Sequence, residues 1–298
     1  MKRTLTIVTV LATAEASAIG VPSPAAGPAP GGVAAQPGPA APPAQAAWDL
    51  RWMAGPPTVH PGPAPRRTAR LQALGASLYH ARCAGCHGDN GDGRGPNAAR
   101  LSVPPTSFVA GVYKLRSTAT GSIPTDEDLF TTVTRGVHGT PMLPWTDLRE
   151  EERWALVYHL EGFSVRFREE RPARPVRIPP APAEDEPLRE TGRRLYAALQ
   201  CAACHGERGK ADGPGAEMYR RQGAGRDVRI RDFSRGRFIR GTEMQDIFLT
   251  LRVGLEGTPM ASYDALADGD LWALAAYVRS LIRERPIQEL PPAGHSIN

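Results

Sequence analysis

The chain has 298 residues, a formal net charge of +5 and a hydrophobic content of 41%, which is enough for packed cores and excludes a chain that is disordered throughout. Its 30 prolines are concentrated in residues 21–65 and 171–187, which therefore predict linkers. They leave two stretches of ordinary domain size, residues 68–168 and 187–285. We call these the first repeat and the second repeat.

The N-terminus has the pattern of a secretory signal peptide over residues 1–18. Two basic residues follow Met1, an apolar run ends before Glu15, and Ala16-Ser17-Ala18 has the A-x-A form of a cleavage site. An uncleaved membrane anchor is the alternative, but about 11 apolar residues give roughly 16 Å of helix against about 30 Å of hydrocarbon. The sequence therefore predicts an exported, periplasmic protein with no transmembrane span in the mature chain.

Residues 19–67 are predicted to form an Ala/Pro-rich tether, because they contain too few large apolar groups to offset the entropy of ordering. One island interrupts the tether, at Trp48, Trp52 and Met53. It fits either a segment that packs on the first repeat or a docking segment for a partner. Further along the chain we expect a Pro-rich linker over residues 169–186 and a C-terminal tail over residues 286–298.

All four cysteines lie in two copies of the pattern C-x-x-C-H, at residues 83–87 and 201–205. The two copies are 118 residues apart, and so are Met142 and Met260, each of which ends a Gly-Thr-Pro-Met tetrapeptide. The histidine of the pattern therefore precedes this methionine by 55 residues in both repeats. A constant offset of this kind predicts two copies of one domain.

Three helices are predicted in each repeat. The first ends just before C-x-x-C-H, and in the first repeat its apolar stripe consists of Leu71, Leu74, Gly75 and Leu78. The second is predicted to start at Thr125, with Asp128 completing a capping box, and in the second repeat at Thr242. The third is predicted over about residues 147–163 and 265–283. Since no alternating pattern of a strand competes, we expect an all-α fold with long Gly/Pro-rich loops.

Such loops bury little by themselves, so each repeat needs a large apolar group in its middle. C-x-x-C-H is the attachment pattern of haem c, in which two thiols form thioethers and the next histidine reaches the iron. Each repeat therefore resembles a class I cytochrome c, and the chain is similar to tandem dihaem c-type cytochromes. The alternatives fit less well, because a zinc site requires four ligands and a redox disulfide requires a βαβ context.

The attachment pattern and the resemblance imply two covalently bound haem c groups, one in each small helical repeat. The predicted thioether residues are Cys83, Cys86, Cys201 and Cys204, and the predicted axial ligands are His87, Met142, His205 and Met260. The family also implies a carbonyl that accepts from each histidine, for which we predict Pro96 and Pro214. Candidates for contacts with the haem propionates are Tyr113, Lys114, Arg116 and Arg240. His138, four residues before Met142, is an alternative iron ligand.

Iron with both axial positions filled by protein suits the transfer of single electrons. We therefore expect an exported carrier between redox protein partners, or the electron-transfer subunit of a larger membrane or periplasmic oxidoreductase. The alternative is a dihaem enzyme, a peroxidase or an oxidase of a small sulfur or organic substrate, in which one haem lacks its sixth ligand. Despite the positive net charge, export and haem make nucleic acid an unexpected partner.

The two repeats differ in charge. The first has acidic clusters at residues 126–128 and 150–152, whereas residues 217–240 of the second form an insertion with eight arginines and three acidic residues. Unlike surfaces of this kind predict unlike partners on the two repeats. We expect the insertion to dock an acidic redox partner near the second haem, the alternative being a solvated loop. The arginines expected to take part are Arg220, Arg221, Arg226, Arg229 and Arg231.

Overall fold

The computed structural model describes residues 59–221 and 230–283, except for the side chains of residues 220 and 221. The predicted signal peptide, the island at Trp48, Trp52 and Met53, and the C-terminal tail lie outside the described residues. Within the described ranges the chain is helical and contains no strand, which confirms the all-α class.

Ten α-helices occur in the described residues, five in each repeat. Those of the first repeat are α1 (Ala69–Arg82), α2 (Ala84–His87), α3 (Asp126–Arg135), α4 (Glu150–Glu161) and α5 (Arg166–Glu169). Those of the second are α6 (Glu186–Ala198), α7 (Ala202–His205), α8 (Pro214–Arg221), α9 (Met244–Val253) and α10 (Asp268–Ser280). The three predicted helices of each repeat are therefore present, together with shorter helices in the loops.

The start of α3 is the predicted capping box. The backbone N–H of Asp128 donates to the Thr125 hydroxyl over 3.1 Å, and the Asp128 carboxylate accepts from the Thr125 N–H over 3.0 Å. In the second repeat the prediction is wrong, because α9 begins at Met244 and Thr242 does not cap it. Thr242 is buried instead, and its carbonyl accepts from the guanidinium of Arg279 on α10.

Each repeat has its own hydrophobic core, built where its first long helix crosses its last. Gly75 of α1 lies against the backbone of Ala155 on α4, and Gly192 of α6 lies against the backbone of Ala273 on α10. A methyl group at either glycine would overlap the opposite carbonyl. Because glycine has no side chain, the two helices of each repeat can make the close contact on which both cores depend.

An ion pair joins the ends of these crossing helices, with opposite polarity in the two repeats. In the first, Arg67 pairs with Glu161, which is buried near the end of α4. In the second, Glu184 pairs with Arg279 over 2.8 Å. Burial, and then repulsion from Asp126, raises the pKa of Glu161 to about 7, although Arg67 opposes the shift. The first repeat therefore has a buried carboxyl group where the second has a guanidinium.

Both segments that flank the first repeat lie against it. Residues 59–67, expected to belong to the tether, lie along α4, where the Tyr158 hydroxyl donates to the carbonyl of Pro65 over 2.5 Å. The predicted linker is also anchored, since the N–H of Val176 donates to the carbonyl of Ser117 over 2.8 Å. Proline-rich composition thus marks irregular backbone here, but this backbone is packed on the repeat.

Candidate haem sites

Each C-x-x-C-H pattern forms one short turn of helix, α2 or α7. In both turns the N–H of the histidine donates to the carbonyl of the first cysteine over 2.9 Å, from His87 to Cys83 and from His205 to Cys201. The two thiols of a turn are three residues apart, which brings them to neighbouring positions on its surface. All four cysteines are free, half-buried thiols, and burial raises the pKa of Cys83 to about 11. The turn presents two thiols and an imidazole together.

The first helix of each repeat holds the end of this turn. The residues after the histidines, Gly88 and Gly206, have φ angles of 79° and 78°, a region that favours glycine. Their carbonyls accept from buried tyrosine hydroxyls, that of Gly88 from Tyr79 over 2.7 Å and that of Gly206 from Tyr196 over 2.8 Å. The same hydrogen bond therefore fixes the turn against the helical core in both repeats.

The carbonyls that face the histidine rings are not those of the predicted prolines. The Nδ1 atom of His87 lies 3.0 Å from the carbonyl oxygen of Thr106, and the Nδ1 atom of His205 lies 3.4 Å from that of Arg231. The predictions of Pro96 and Pro214 for this role are wrong in this structure. Each histidine ring does contact a backbone carbonyl, as predicted, but the carbonyl belongs to a residue further along the loop than the proline.

The prolines are held elsewhere by their own segments. Pro96 is followed by Asn97, whose N–H donates to the carbonyl of Gly85 over 2.8 Å, so that this loop lies against the start of α2. Pro214 is the first residue of α8, a position that proline favours because its missing N–H has no helical partner there.

An aromatic ring stacks on each histidine. The centroid of Phe108 lies 4.6 Å from that of His87, with 19° between the planes, and Phe233 lies 4.3 Å from His205, with 22° between the planes. Each phenylalanine follows the carbonyl-bearing residue by two positions, in Thr-Ser-Phe and Arg-Asp-Phe. Phe108 and Phe233 are 125 residues apart, whereas the cysteines and the methionines of the two repeats are 118 residues apart. Aligning the repeats at an offset of 118 therefore does not match these two phenylalanines.

The environment of the imidazoles favours the neutral ring with one free nitrogen. Burial lowers the pKa of both His87 and His205, although the carbonyl contact opposes the shift. With Nδ1 donating to a carbonyl, Nε2 retains its lone pair, as a metal-binding histidine requires.

The predicted methionine ligands lie in loops of the same construction. We call residues 137–142 and 255–260 the methionine loops. In each, the methionine carbonyl accepts from the first residue of the loop over 2.9 Å, Met142 from Val137 and Met260 from Leu255. The N–H of each methionine donates over 3.1 Å to the hydroxyl of the threonine two residues earlier. The two repeats therefore hold the methionine backbone by the same hydrogen bonds.

The first repeat contains buried donors that suit the acceptor oxygens of a haem propionate. The hydroxyl of Tyr113, the Nη1 atom of Arg116 and the indole nitrogen of Trp145 are buried and have no hydrogen-bond partner among the described residues. A buried donor of this kind is costly unless an acceptor meets it. Lys114 is half-buried beside Tyr113. These residues fit a bound haem, and the sequence did not single out Trp145 as a donor.

Protein atoms already occupy the guanidinium of Arg240, as they do the Nε and Nη2 atoms of Arg116. The Nη2 atom of Arg240 donates to the carbonyl of Arg116 over 3.0 Å, and its Nε atom donates to the Thr250 hydroxyl over 3.3 Å. Of the five arginines expected to take part in docking, the structure describes the side chain of Arg231. The side chains of Arg220, Arg221, Arg226 and Arg229 lie outside the described residues.

Across the described ranges, no helix has the length and apolar character needed to cross a membrane.

Known families match both repeats. Residues 70–160 match the family described as "Cytochrome C oxidase, cbb3-type, subunit III", and residues 190–281 match the family "Cytochrome c". No curated protein matches the chain. The two matched stretches contain both C-x-x-C-H turns and both methionine loops.

A solved structure extends the likeness across both repeats. It is a chain of the Kuenenia stuttgartiensis reducing HAO-like protein complex, 36% identical in sequence, with a TM-score of 0.67. The match covers 70% of this chain and 96% of that one. Cytochrome c domains imply haem c binding and electron transfer. The chain therefore belongs to the c-type cytochromes, as a protein with two cytochrome c domains in tandem.

Proposed function

We propose that this protein is an exported dihaem c-type cytochrome that passes single electrons between redox partners. One observation carries the proposal: both repeats build the same histidine turn and the same methionine loop, at the same spacing. A methionine and a histidine as ligands of each haem would leave no open position for a substrate, and such ligation suits electron transfer. The enzyme alternative, which needs one site to differ, has no support from these loops.

The residues that would hold each haem are those of the turn and the loop. Cys83 and Cys86 would form the thioethers of the first site, with His87 and Met142 as axial ligands. In the second site the corresponding residues are Cys201, Cys204, His205 and Met260. Bound haem c supplies a one-electron iron couple. The chain orients each imidazole through a carbonyl and stacks phenylalanine on it.

We further propose that the protein works outside the cytoplasm, as an electron-transfer subunit of a larger oxidoreductase. Cytochrome c domains are typically exported, and the pattern of residues 1–18 supports export here. The similar Kuenenia stuttgartiensis chain belongs to a protein complex, which supports a fixed partner. The acidic clusters of the first repeat and the arginine-rich insertion of the second would meet different partners.

Counting covalently bound haem in cysteine variants tests this function. The full-length protein is produced in a host that matures c-type cytochromes, and haem per chain is measured by mass spectrometry and haem absorption. We expect two haems in the wild type and one in each double variant, Cys83→Ala/Cys86→Ala and Cys201→Ala/Cys204→Ala. A wild-type chain without covalent haem, or retention of both haems in either variant, would overturn the proposal.

A further inference from the structure

The two methionine loops face each other's repeat. A methyl group at Gly139, in the first methionine loop, would meet the side chains of Arg231 and Arg237 in the second repeat. A methyl group at Gly257, in the second methionine loop, would lie 3.3 Å from Val112 in the first repeat. Both loops therefore belong to the interface between the repeats, although each was expected only to hold its own iron.

Charged hydrogen bonds shielded from water cross this interface. Arg116 is fully buried, and its guanidinium lies 3.2 Å from the carboxylate of Glu256 and donates to the carbonyl of Val253 over 3.2 Å. Arg135 forms a bidentate pair with Asp246, at 3.2 and 3.3 Å. Domains joined by a linker move against each other unless their interface holds them. These bonds involve α3, α9 and the second methionine loop, and they hold the two repeats together.

Arg231 connects the two haem sites directly. Its backbone carbonyl faces the Nδ1 atom of His205 at 3.4 Å, so it belongs to the second site. Its Nη1 atom donates to the carbonyl of Gly139 over 3.3 Å, and Gly139 begins the tetrapeptide that ends at Met142. In the first repeat Thr106 has the corresponding backbone role, with a side chain too short to make such a bridge. The connection therefore runs from the second repeat to the first.

We propose that Arg231 is a positioning residue for electron exchange between the two haem sites. This inference rests on the proposed function. In the exchange, one electron leaves the reduced site and enters the oxidised one, and no bond forms or breaks. Arg231 holds the first methionine loop against the segment that supports His205: its guanidinium lies at that loop, one side chain's length from its own carbonyl at His205.

The charge of Arg231 has a second consequence, which separates its role from simple packing. An oxidised site carries one more positive charge than a reduced one, so a nearby guanidinium disfavours oxidation and raises the reduction potential. Removing this charge should lower the potentials of both sites. Removing an exposed charge that is not bonded to a methionine loop should have a smaller effect, because water and salt screen it more completely than the half-buried Arg231.

The test compares Arg231→Gln and Arg231→Lys with Arg208→Gln, a control that removes an exposed arginine from the same repeat. The holoprotein is titrated spectroelectrochemically, and the equilibration of an electron between the haems is followed after rapid partial reduction. We expect slower equilibration and lower potentials in Arg231→Gln than in Arg208→Gln. In Arg231→Lys, which keeps the charge and one donor, we expect potentials near wild type and an intermediate rate.

If Arg231→Gln equilibrates at the wild-type rate with potentials like those of Arg208→Gln, the inference is wrong. If that variant does not fold, Arg231→Lys decides, because a wild-type rate there would exclude a role for the guanidinium geometry. Failure of the proposed function would look different, since the wild-type protein itself would then lack two reducible haems.

Discussion

Replacing Gly75 by alanine is expected to force α1 away from α4. The new methyl group would overlap the carbonyl of Ala155 and lie 3.1 Å from the Cβ atom of His159. Overpacking a core costs about 1–3 kcal/mol, and the upper end applies because the opposing atoms belong to backbone. The better helix propensity of alanine returns about 1 kcal/mol. We therefore expect a net loss of about 2 kcal/mol of stability, or roughly 8–16 °C in the Tm of a domain of this size.

The chain offers a matched pair and a control for this experiment. Gly192→Ala should destabilise the second repeat by a similar amount, since its methyl group would overlap the carbonyl of Ala273. Gly269→Ala, near the start of α10, meets nothing within 4 Å and should be neutral or stabilising. Thermal unfolding of the holoproteins by circular dichroism measures all three. A Gly75→Ala protein that melts with the wild type or above it would refute the close helix contact.

Three further predictions concern a buried carboxyl group, a hydrogen bond and the interface. Because the pKa of Glu161 is raised from 4.5 to about 7, the folded chain keeps a proton that the unfolded chain releases within this window. Its free energy of unfolding should therefore fall by up to about 1.4 kcal/mol per pH unit as pH rises, and Glu161→Gln should remove this slope in denaturant titrations at several pH values. Tyr79→Phe leaves a buried carbonyl without its donor and should cost about 1–3 kcal/mol in the same assay, whereas an unchanged midpoint would exclude the bond to the haem turn. Arg135→Ala removes the bidentate partner of Asp246, leaves this carboxylate with the nearby charge of Arg240, and should cost up to about 3 kcal/mol. Calorimetry should then show the two repeats melting further apart, and an unchanged trace would contradict a fixed interface.

Local patterns in the sequence were sufficient to predict the helices, and the ligand set that they indicate stays a prediction. The stripe that contains Gly75 and the capping box at Thr125 depend on neighbouring residues, and both are present in the structure. The constant offset between C-x-x-C-H and the methionines indicated equivalent sites, and the matching loops agree with it. The same reasoning failed at Thr242, because Glu243 is the residue that precedes α9, whereas Thr242 is buried and its carbonyl accepts from Arg279 of α10.

Contacts across long loops could not be predicted in this way. The segment that supplies the carbonyl of Thr106 or Arg231 is displaced by seven residues between the repeats, because in the second repeat the loop is seven residues longer before this segment and seven residues shorter after it. No local pattern shows which part of such a loop returns to the histidine. The interface between the repeats could not be predicted either. Arg116 and Arg240 are of a residue type that suits propionate contacts, and no local pattern shows that both guanidinium groups bond to the other repeat.

The ligation of the two irons tests the central claim most directly. Oxidised haem bound by methionine sulfur has a weak long-wavelength absorption band, which can be measured in the wild type and in Met142→Ala, Met260→Ala and the double variant. Two equivalent histidine–methionine sites predict that each single variant loses half of this band and that the double variant loses all of it, while covalent haem stays constant. A band that is unchanged in either single variant would contradict the account.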